Sequence, residues 1–597
     1  MPRLDRLPPP LWVALAAVAV SLNGLAGAPV LDDGWVIFQN PLVTSLSLER
    51  ILREGYNAGG PVTTAGLFRP VTTLSYALTY AVAGHLAWPY HLVNVVLHAG
   101  VSVLVHALAM RVVSAFAPAR ARTAALLAGL LFAVHPVHAD AVAALVGRAE
   151  LLAAAGALGA LLLALGRGAG EWRLPAAAAA GTLGVLSKEN AAVLPALFLL
   201  VAIAAPAAAG LPARPGLAPG APRRALGRAV LVAATLTVPV AVYLLVRPHG
   251  GAGVPASSAW FAGQPREVVL GTMSRALSEY WRLLAVPHPL GLDFFYAQRI
   301  PAVGFWSAPA LLSFALWGTL LGLGLASSRR APARFVGILW VFAALAPVSN
   351  VLVPTGVLMA ERLLYLPSAG FCLWLGHGLA WAAAALERRR AERSPRRWAD
   401  PRLARAAAAL LLVAWSARTV ARNADWRRPR TLWEAELEKA PRDPVVNNNL
   451  AVELNGAGEH ARAVALLETA LRVAPRYWRA HVNLGIARQR TGDPAGALRA
   501  FEEASRIAPG EASPHFYRGL FLLERGVHAE ALAALRRAVA LGPEDPWARV
   551  ALGRALERSG RRAEARAEYA AALRIDPRNA EARRALQVLD DVREEAP

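Results

Sequence analysis

Long apolar stretches alternate with short polar ones over the first two thirds of the chain. A helix needs about 20 apolar residues to cross the hydrocarbon core of a membrane. Eleven stretches come close to this length, with the following bounds: 11–29, 91–111, 122–138, 140–166, 174–187, 190–207, 225–246, 303–326, 334–353, 358–384 and 403–420. Two further stretches, 70–87 and 266–285, carry polar or charged side chains and are predicted to lie at the membrane interface. The pattern predicts a polytopic bundle of about eleven spanning helices.

A different pattern, with a period of 34 residues, fills the rest of the chain. Prolines recur at this spacing at 441, 475, 509, 543 and 577, and glycine, alanine and aromatic or leucine positions repeat in the same register. This period is that of the tetratricopeptide repeat, a helix–turn–helix unit that stacks into a solenoid. We predict an all-α chain of two domains, with a membrane domain at 1–422 and a repeat domain at 423–597. The repeat domain has four full repeats at 444–577, a preceding half-unit around Trp433 and a C-terminal capping helix.

The arginines give the membrane domain an orientation. They cluster in alternate connections between the predicted spans, at 111–122, 167–173, 214–228, 329–334 and 388–405. Arginine-rich connections face the cytoplasm. The N-terminus is therefore predicted to be cytoplasmic and, after eleven crossings, the repeats lie on the outer side of the membrane.

Composition supports this assignment. Only 17% of residues are charged and 56% are hydrophobic, whereas soluble domains average about 25% charged residues. The net charge of +22 comes largely from the arginine clusters, so it indicates membrane topology and not a nucleic-acid partner. Cys372 is the sole cysteine, which excludes an internal disulfide. The lysines are limited to Lys188 and Lys439 in a chain rich in Ala, Arg, Gly and Pro. This bias indicates a GC-rich bacterial genome, hence the inner membrane and periplasmic repeats.

Four polar clusters interrupt the membrane domain, and the predicted orientation brings all of them to the outer face. They are Asp32 with Asp33, residues 135–140 with 147–150, residues 187–190, and residues 361–367. Polar groups beside spanning helices are expensive and usually functional, so their convergence predicts one site. Structural explanations also exist for three of the clusters: solvated aspartates, a helix break with hydrogen-bonded histidines, and an interfacial Glu361–Arg362 pair. Lys188 is harder to explain in this way, because a lysine in a chain that otherwise uses arginine suggests a need for a compact ammonium.

The ordered set of motifs at 31–33, 40–43, 68–75, 90–98, 134–138, 186–189 and 361–368, followed by the repeats, resembles the transmembrane and tetratricopeptide-repeat O-mannosyltransferase family. The resemblance covers nearly the whole chain. It implies the C-type glycosyltransferase fold, a catalytic carboxylate in the first outer loop, and a polyprenyl-phosphate-linked sugar as the donor.

The resemblance, together with the chemistry of glycosyl transfer, assigns roles to the clustered residues. Asp32 and Asp33 match the acidic pair of the family, and one of them is the expected general base, with a slight preference for Asp33. The cations expected at the donor phosphate are Lys188, Arg362, Arg69 and Arg148. Supporting positions are His135, His138, Glu189, Glu361 and Tyr365. No metal cage is evident in the sequence, although two carboxylates could hold a divalent ion.

The predicted function is transfer of mannose or a similar hexose from the polyprenyl phosphate to a hydroxyl, with Ser or Thr of an exported protein as the acceptor. Asn449 and Asn483 share a register on successive repeats, and their amides are suited to hold an extended peptide, unless they only bond neighbouring helices. Two other functions remain open: a polysaccharide ligase or polymerase of the cell envelope, and a non-enzymatic membrane scaffold that displays the repeats.

The orientation leads to a direct test. A reporter that is active only in the periplasm should be active when fused after residue 597, because eleven crossings put the repeats outside, and silent when fused within 388–400. The reverse pattern of reporter activity would contradict the span count and would make 70–87 a true crossing.

Overall fold

The computed structural model describes residues 7–54, 56, 67–166, 172–211, 221–247, 261, 263–293, 299–351, 357–391 and 401–594. All of the regular secondary structure in these ranges is helical, which confirms the all-α prediction. The chain divides into two compact units, Met1–Leu432 and Trp433–Pro597. The division falls ten residues after the boundary predicted from the sequence.

The first unit is built from thirteen helices of eleven residues or more within the described ranges. They are Pro9–Ser21, Pro70–Ala83, Ala87–Ser114, Pro118–Ala133, Arg148–Ala164, Arg173–Ser187, Leu194–Ala204, Ala221–Val246, Arg266–Ala285, Ala308–Ala326, Pro332–Leu345, Tyr365–Ala391 and Pro401–Asp425. Several begin with proline, which suits the first helical turn because it lacks the N–H that would have no partner there. Short helical turns join them, and three of these turns, Pro136–His138, Leu145–Gly147 and Glu361–Leu364, contribute to the site described below.

Six of these helical segments are long and apolar enough to cross a membrane. They are Ala87–Ser114, Leu145–Ala164, Gly227–Val246, Ala308–Ala326, Glu361–Arg388 and Arg402–Asp425. A bent pair, Pro118–Ala133 with Pro136–Ala143, raises the number to seven if it forms one span. Shorter apolar helices coincide with three more predicted spans, and Arg173–Ser187 coincides with the last. The total of eleven therefore remains a prediction, while 70–87 and 266–285 are not among the candidate spans, as expected.

Two pairs of neighbouring helices approach each other closely through glycine. A methyl group added to Gly156 would lie 2.6 Å from the Cα of Gly184, so Arg148–Ala164 and Arg173–Ser187 are in backbone contact. A methyl group on Gly181 would lie 2.8 Å from the ring of Pro239, in the interior of Ala221–Val246. Small residues permit such contacts between apolar helices, where van der Waals packing supplies most of the attraction.

The second unit confirms the predicted repeats. The four helix pairs are Pro444–Gly456 with His460–Val473, Trp478–Arg490 with Pro494–Ile507, Ala512–Glu524 with His528–Leu541, and Pro546–Arg558 with Arg562–Ile575. The helices Pro429–Lys439 and Ala580–Glu594 lie where the preceding half-unit and the capping helix are predicted.

Glycines shape the turn of every repeat and the seam of the later repeats. The turn between the two helices has a positive φ, from 72° to 82°, at Gly458, Gly492, Gly526 and Gly560. Residues other than glycine rarely adopt this backbone conformation. Within the pairs, a methyl group on Gly485 would lie 2.5 Å from the ring of Phe501, and one on Gly553 would lie 2.6 Å from the ring of Tyr569. Glycine therefore lets the aromatic side chain fill the seam between the two helices.

Candidate functional site

The first connection after Pro9–Ser21 turns sharply at Leu31, whose φ of 51° lies in the left-handed region. Such a conformation is uncommon for a non-glycine residue and costs about 1–3 kcal/mol. The two carboxylates that follow the turn lie in opposite environments. Asp33 is completely buried, whereas Asp32 is exposed. The two members of the acidic pair therefore have different roles in the structure.

The carboxylate of Asp33 is held by backbone N–H groups. Its oxygens accept hydrogen bonds from Val30 at 3.0 Å, Leu145 at 3.3 Å and Val146 at 2.9 Å. Burial raises the pKa of Asp33 to about 7, and these three N–H donors oppose the rise. Asp33 thereby joins the first loop to the turn Leu145–Gly147 at the start of Arg148–Ala164. This enclosure leaves no face of the carboxylate open to a substrate.

Asp32 has the opposite character. It is accessible to solvent, yet the crowding of protein around it raises its pKa by desolvation. The charge of Arg362 and a hydrogen bond from Trp35 oppose that rise. Asp32 is thus a solvent-accessible carboxylate whose pKa is raised despite the charge of Arg362, and a raised pKa suits a general base.

Arg362 lies between two further carboxylates. Its Nη1 is 3.4 Å from Oδ2 of Asp140, and its Nη2 is 3.3 Å from Oδ2 of Asp293. Asp140 also accepts a hydrogen bond from the backbone N–H of Arg362 at 3.1 Å. The side chain of Asp140 is 4% exposed, while those of Arg362 and Asp293 are each 28% exposed. The open edge of this cluster is formed by Asp32, Arg362 and Asp293.

Lys188 extends the cluster on another side. Its ammonium donates to one oxygen of Glu150, and the other oxygen accepts a hydrogen bond from Asn190 at 2.6 Å. Glu150 is 2% exposed, so it holds the lysine from inside the protein. Lys188 interacts electrostatically with Arg362 and Arg69, and the three cations therefore share one region.

Arg69 forms the third part of this region. It donates two parallel hydrogen bonds to Glu189, at 2.6 and 3.1 Å, and its guanidinium lies 5.3 Å from the ring centre of Tyr56. A paired guanidinium of this geometry is rigidly oriented. Glu189 is thus the partner of Arg69 rather than of its neighbour in sequence, Lys188.

Arg148 does not join the other predicted cations. It is completely buried, and its guanidinium lies 4.8 Å from the ring centre of Tyr76. It donates hydrogen bonds to Oδ1 of Asn94, the carbonyl of Ser75, Oγ1 of Thr79 and the carbonyl of Tyr90, at 3.0 to 3.1 Å. These contacts fasten Pro70–Ala83 and Ala87–Ser114 to Arg148–Ala164. They favour a packing role for Arg148 over the predicted contact with a donor phosphate.

The histidines and the tyrosine predicted as supporting residues lie inside the helix packing. His135 bonds the carbonyl of Leu284 at 3.1 Å, and its ring centre is 4.2 Å from that of Trp415. His138 bonds Oγ of Ser368 at 2.8 Å. The hydroxyl of Tyr365 bonds His98 at 2.8 Å. These contacts favour the structural explanation, a helix break stabilised by hydrogen-bonded histidines.

Two charged residues of the region were not predicted from the sequence. Asp293 is the sole acidic residue between 286 and 307. An isolated carboxylate in an otherwise uncharged or basic connection is the sequence feature that could have marked it as a site residue. Arg422 is completely buried, and its Nε lies 3.8 Å from Oε2 of Glu361, which is buried as well. In the sequence Arg422 belongs to an ordinary positively charged helix end, so nothing there distinguishes it.

Relatives of known name cover most of the chain. It is 28% identical to the human protein O-mannosyl-transferase TMTC1 over 495 residues, which are 74% of this chain and 52% of that protein. It is 28% identical to mouse TMTC4, with 76% and 66% of the two chains covered, and 27% identical to Drosophila melanogaster Tmtc1, with 75% and 59% covered. The resemblance to the O-mannosyltransferases is confirmed. The chain spans between about half and two thirds of the length of these relatives.

The remaining comparisons concern the repeats. Family models described as tetratricopeptide repeat match residues 448–512, 484–546 and 522–589. Two solved tetratricopeptide-repeat proteins are also similar: a thermophilic one from Thermus thermophilus, at 29% identity, and YrrB, at 26%. They cover 27% and 28% of this chain and 88% and 84% of their own, with TM-scores of 0.25 and 0.24. The candidate spans and the O-mannosyltransferase relatives together identify a membrane protein that carries tetratricopeptide repeats.

The two asparagines predicted to bind a peptide, Asn449 and Asn483, are linked to each other through Asn448. Nδ2 of Asn483 donates to Oδ1 of Asn448 at 2.8 Å, and Nδ2 of Asn448 donates to Oδ1 of Asn449 at 3.2 Å. Nδ2 of Asn455 lies 3.4 Å from the carbonyl of Asn483. The amides thus link the first helices of two successive repeats, which is the structural alternative. A role of Asn449 and Asn483 in peptide binding stays a prediction.

The carboxylates of the candidate site do not assemble into a metal cage. Among the described residues, no group of three or more histidine, cysteine, aspartate or glutamate side chains is arranged to hold a metal ion. The family resemblance implies that the acidic pair supplies the base, and here the two side chains of the pair diverge.

The enclosure of Asp33 leads to a stability test. In Asp33→Asn an amide NH₂ replaces one of the oxygens that accept backbone N–H bonds, which should destabilise the protein by about 1–3 kcal/mol. The exposed neighbour gives the matched control, since Asp32→Asn should leave stability within about 0.5 kcal/mol. The measurement is thermal unfolding of the purified full-length protein in detergent. Equal unfolding temperatures for the two variants would contradict the assignment.

Proposed function

We propose that this protein is a membrane glycosyltransferase that transfers mannose or a similar hexose from a polyprenyl phosphate to a hydroxyl acceptor at the outer face of the bacterial inner membrane. The observation that carries the proposal is the exposed Asp32 beside Arg362, in a chain whose relatives are named protein O-mannosyl-transferases. The geometry favours Asp32 as the base, in place of the slight preference for Asp33 drawn from the sequence.

The reaction assigned to the site is an inverting displacement. The acceptor oxygen attacks C1 of the sugar, and Asp32 takes the hydroxyl proton as the new C–O bond forms. The bond between C1 and the phosphate oxygen breaks, and the polyprenyl phosphate leaves with the electron pair. A base that is accessible to solvent, hydrogen-bonded to Trp35 and subject to the charge of Arg362 suits this proton transfer.

Stabilisation of the leaving phosphate falls to the three clustered cations. Each of these cations is paired with a buried or partly buried carboxylate: Arg362 with Asp140, Lys188 with Glu150, and Arg69 with Glu189. Preoriented cations stabilise developing negative charge without reorganising during the reaction. Glu150, Glu189 and Glu361 are therefore assigned to hold cations and backbone, and Arg148 is assigned to packing.

The acceptor is proposed to be Ser or Thr of an exported polypeptide. The support is the printed name of the relatives, protein O-mannosyl-transferase, and the tetratricopeptide repeats, a class of solenoid whose concave surface binds other molecules. Whether transfer also requires a divalent ion is tested by adding a chelator to the transfer assay.

The first prediction concerns the base. Asp32→Asn should reduce transfer about 10²–10⁴-fold, because the amide keeps the size of the side chain but cannot accept the proton. The assay combines purified full-length protein with polyprenyl-phosphate mannose and a Ser/Thr-rich peptide, the same peptide with Ala at every Ser and Thr, or an oligosaccharide.

The control for this assay is Glu49→Gln, which alters an exposed ion pair with Arg53 in the same outer connection and should leave transfer unchanged. Wild-type turnover in Asp32→Asn would remove Asp32 from the mechanism. Transfer to the oligosaccharide alone would contradict the polypeptide acceptor.

The second prediction concerns the phosphate. Lys188→Ala should raise the KM for the donor about tenfold or more, as expected when one charge-assisted hydrogen bond is lost. Lys188→Arg should rescue only in part, because the planar guanidinium does not match the single ammonium site beside Glu150. Arg50→Ala, which removes an exposed cation paired with Glu54, is the control. Donor KM values equal to wild type in Lys188→Ala would make the Lys188–Glu150 pair purely structural.

A further inference from the structure

The region around Arg362 contains a carboxylate that the proposed reaction does not yet use. Asp293 follows Arg266–Ala285 in the chain and bonds Nη2 of Arg362 at 3.3 Å, while Asp140 bonds Nη1 at 3.4 Å. The two carboxylates therefore hold the two ends of one guanidinium. Asp140 is buried, but Asp293 shares the open edge of the cluster with Arg362.

A buried ion pair braces the backbone on both sides of this contact. Glu361 accepts a hydrogen bond from the backbone N–H of Gly291, two residues before Asp293, and directly precedes Arg362 in the chain. Its second oxygen lies 3.8 Å from Nε of Arg422, and Nη1 of Arg422 lies 3.0 Å from Asp425. The side chains of Glu361 and Arg422 are 0% exposed. One glutamate thus fixes the segment that carries Asp293 and the turn that carries Arg362.

A second contact adds to the brace. The hydroxyl of Tyr280, in Arg266–Ala285, accepts a hydrogen bond from the backbone N–H of Ala360 at 3.0 Å. The helix that precedes Asp293 is therefore bonded to the residue that precedes Glu361. Two independent hydrogen bonds join the same two segments, so their separation is fixed independently of the Asp293–Arg362 pair.

We propose that Asp293 is a positioning residue for Arg362, fixed in place by the Glu361–Arg422 brace, and that it orients the guanidinium toward the phosphate of the lipid-linked donor. The proposal rests on the proposed function for the identity of the donor. It adds the 290–293 segment to the site, whereas the family resemblance assigns no residue of that segment to it.

The surroundings of Asp293 determine when its carboxylate is charged. The charged and titratable groups that act on it are Arg362, Asp140, Asp32 and Tyr280. Burial raises the pKa of Asp293 to about 6, and Arg362 opposes the rise. The carboxylate is therefore charged above about pH 6. As the pH falls below that value, protonation neutralises it and weakens its ion pair with Arg362.

The test measures donor kinetics in Asp293→Asn. This variant keeps the shape of the side chain and removes the charge, so the donor KM should rise about tenfold, with a smaller change in kcat. Asp293→Glu should restore the donor KM in part, because the carboxylate is retained. Glu54→Gln, in an exposed ion pair with Arg50, is the control and should match wild type.

Two further measurements separate positioning from a general structural defect. In wild type the donor KM should rise as the pH falls through about 6, and in Asp293→Asn it should be high and lack this step. Glu361→Gln should raise the donor KM as well, and the double variant should be no worse than Asp293→Asn, because both changes act on one unit. Additive effects would contradict the brace.

The outcomes distinguish this inference from the proposed function. If wild type transfers the sugar and Asp293→Asn has an equal or lower donor KM, positioning by Asp293 is overturned while the glycosyltransferase assignment stands. If wild type transfers to no acceptor, the proposed function fails, and binding of polyprenyl phosphate to the purified full-length protein decides the inference. Weaker binding in Asp293→Asn supports it, and equal binding overturns it.

Discussion

Burying a charge costs several kcal/mol unless its partners replace the lost water, and the helical unit meets this constraint at the charged side chains of the candidate site. Arg148 donates to the side chain of Asn94 and to backbone carbonyls of two different helices. Lys188 is matched by Glu150, and Arg69 by Glu189. The positions of the helices around the site follow from these pairings, because each pair joins residues that are distant in the sequence.

The same constraint divides the charged groups of the site into those that hold the structure together and those that can contact a ligand. Groups whose bonding capacity is filled by the protein, such as Asp33 and Arg148, connect elements. Groups with an open face, such as Asp32 and Arg362, are available to a ligand. A site of this kind is preorganised, since its charged groups are oriented before a substrate arrives. Its rigidity comes from the filled groups directly behind the open ones.

The sequence predicted the parts of the structure that depend on short-range patterns. The 34-residue period predicted the bounds of the repeats closely. Apolar runs predicted the positions of the candidate spans, because length and hydropathy are local properties of the sequence. The roles within the site depend on contacts between distant segments. Asp32 and Asp33 are adjacent and chemically identical, so the backbone turn at Leu31 decides which of them faces the interior. The importance of Arg422 and of the segment that carries Asp293 depends on Glu361, which contacts Arg422 and the backbone of Gly291.

The turn glycines of the repeats have a consequence for how this protein can change over evolutionary time. Each repeat carries its own left-handed glycine and its own seam, so the geometry of one unit does not depend on residues outside its neighbours. Recombination that adds or deletes one whole unit preserves every turn and seam, whereas an insertion of any other length disrupts them. The array is therefore free to lengthen or shorten in discrete steps of one repeat.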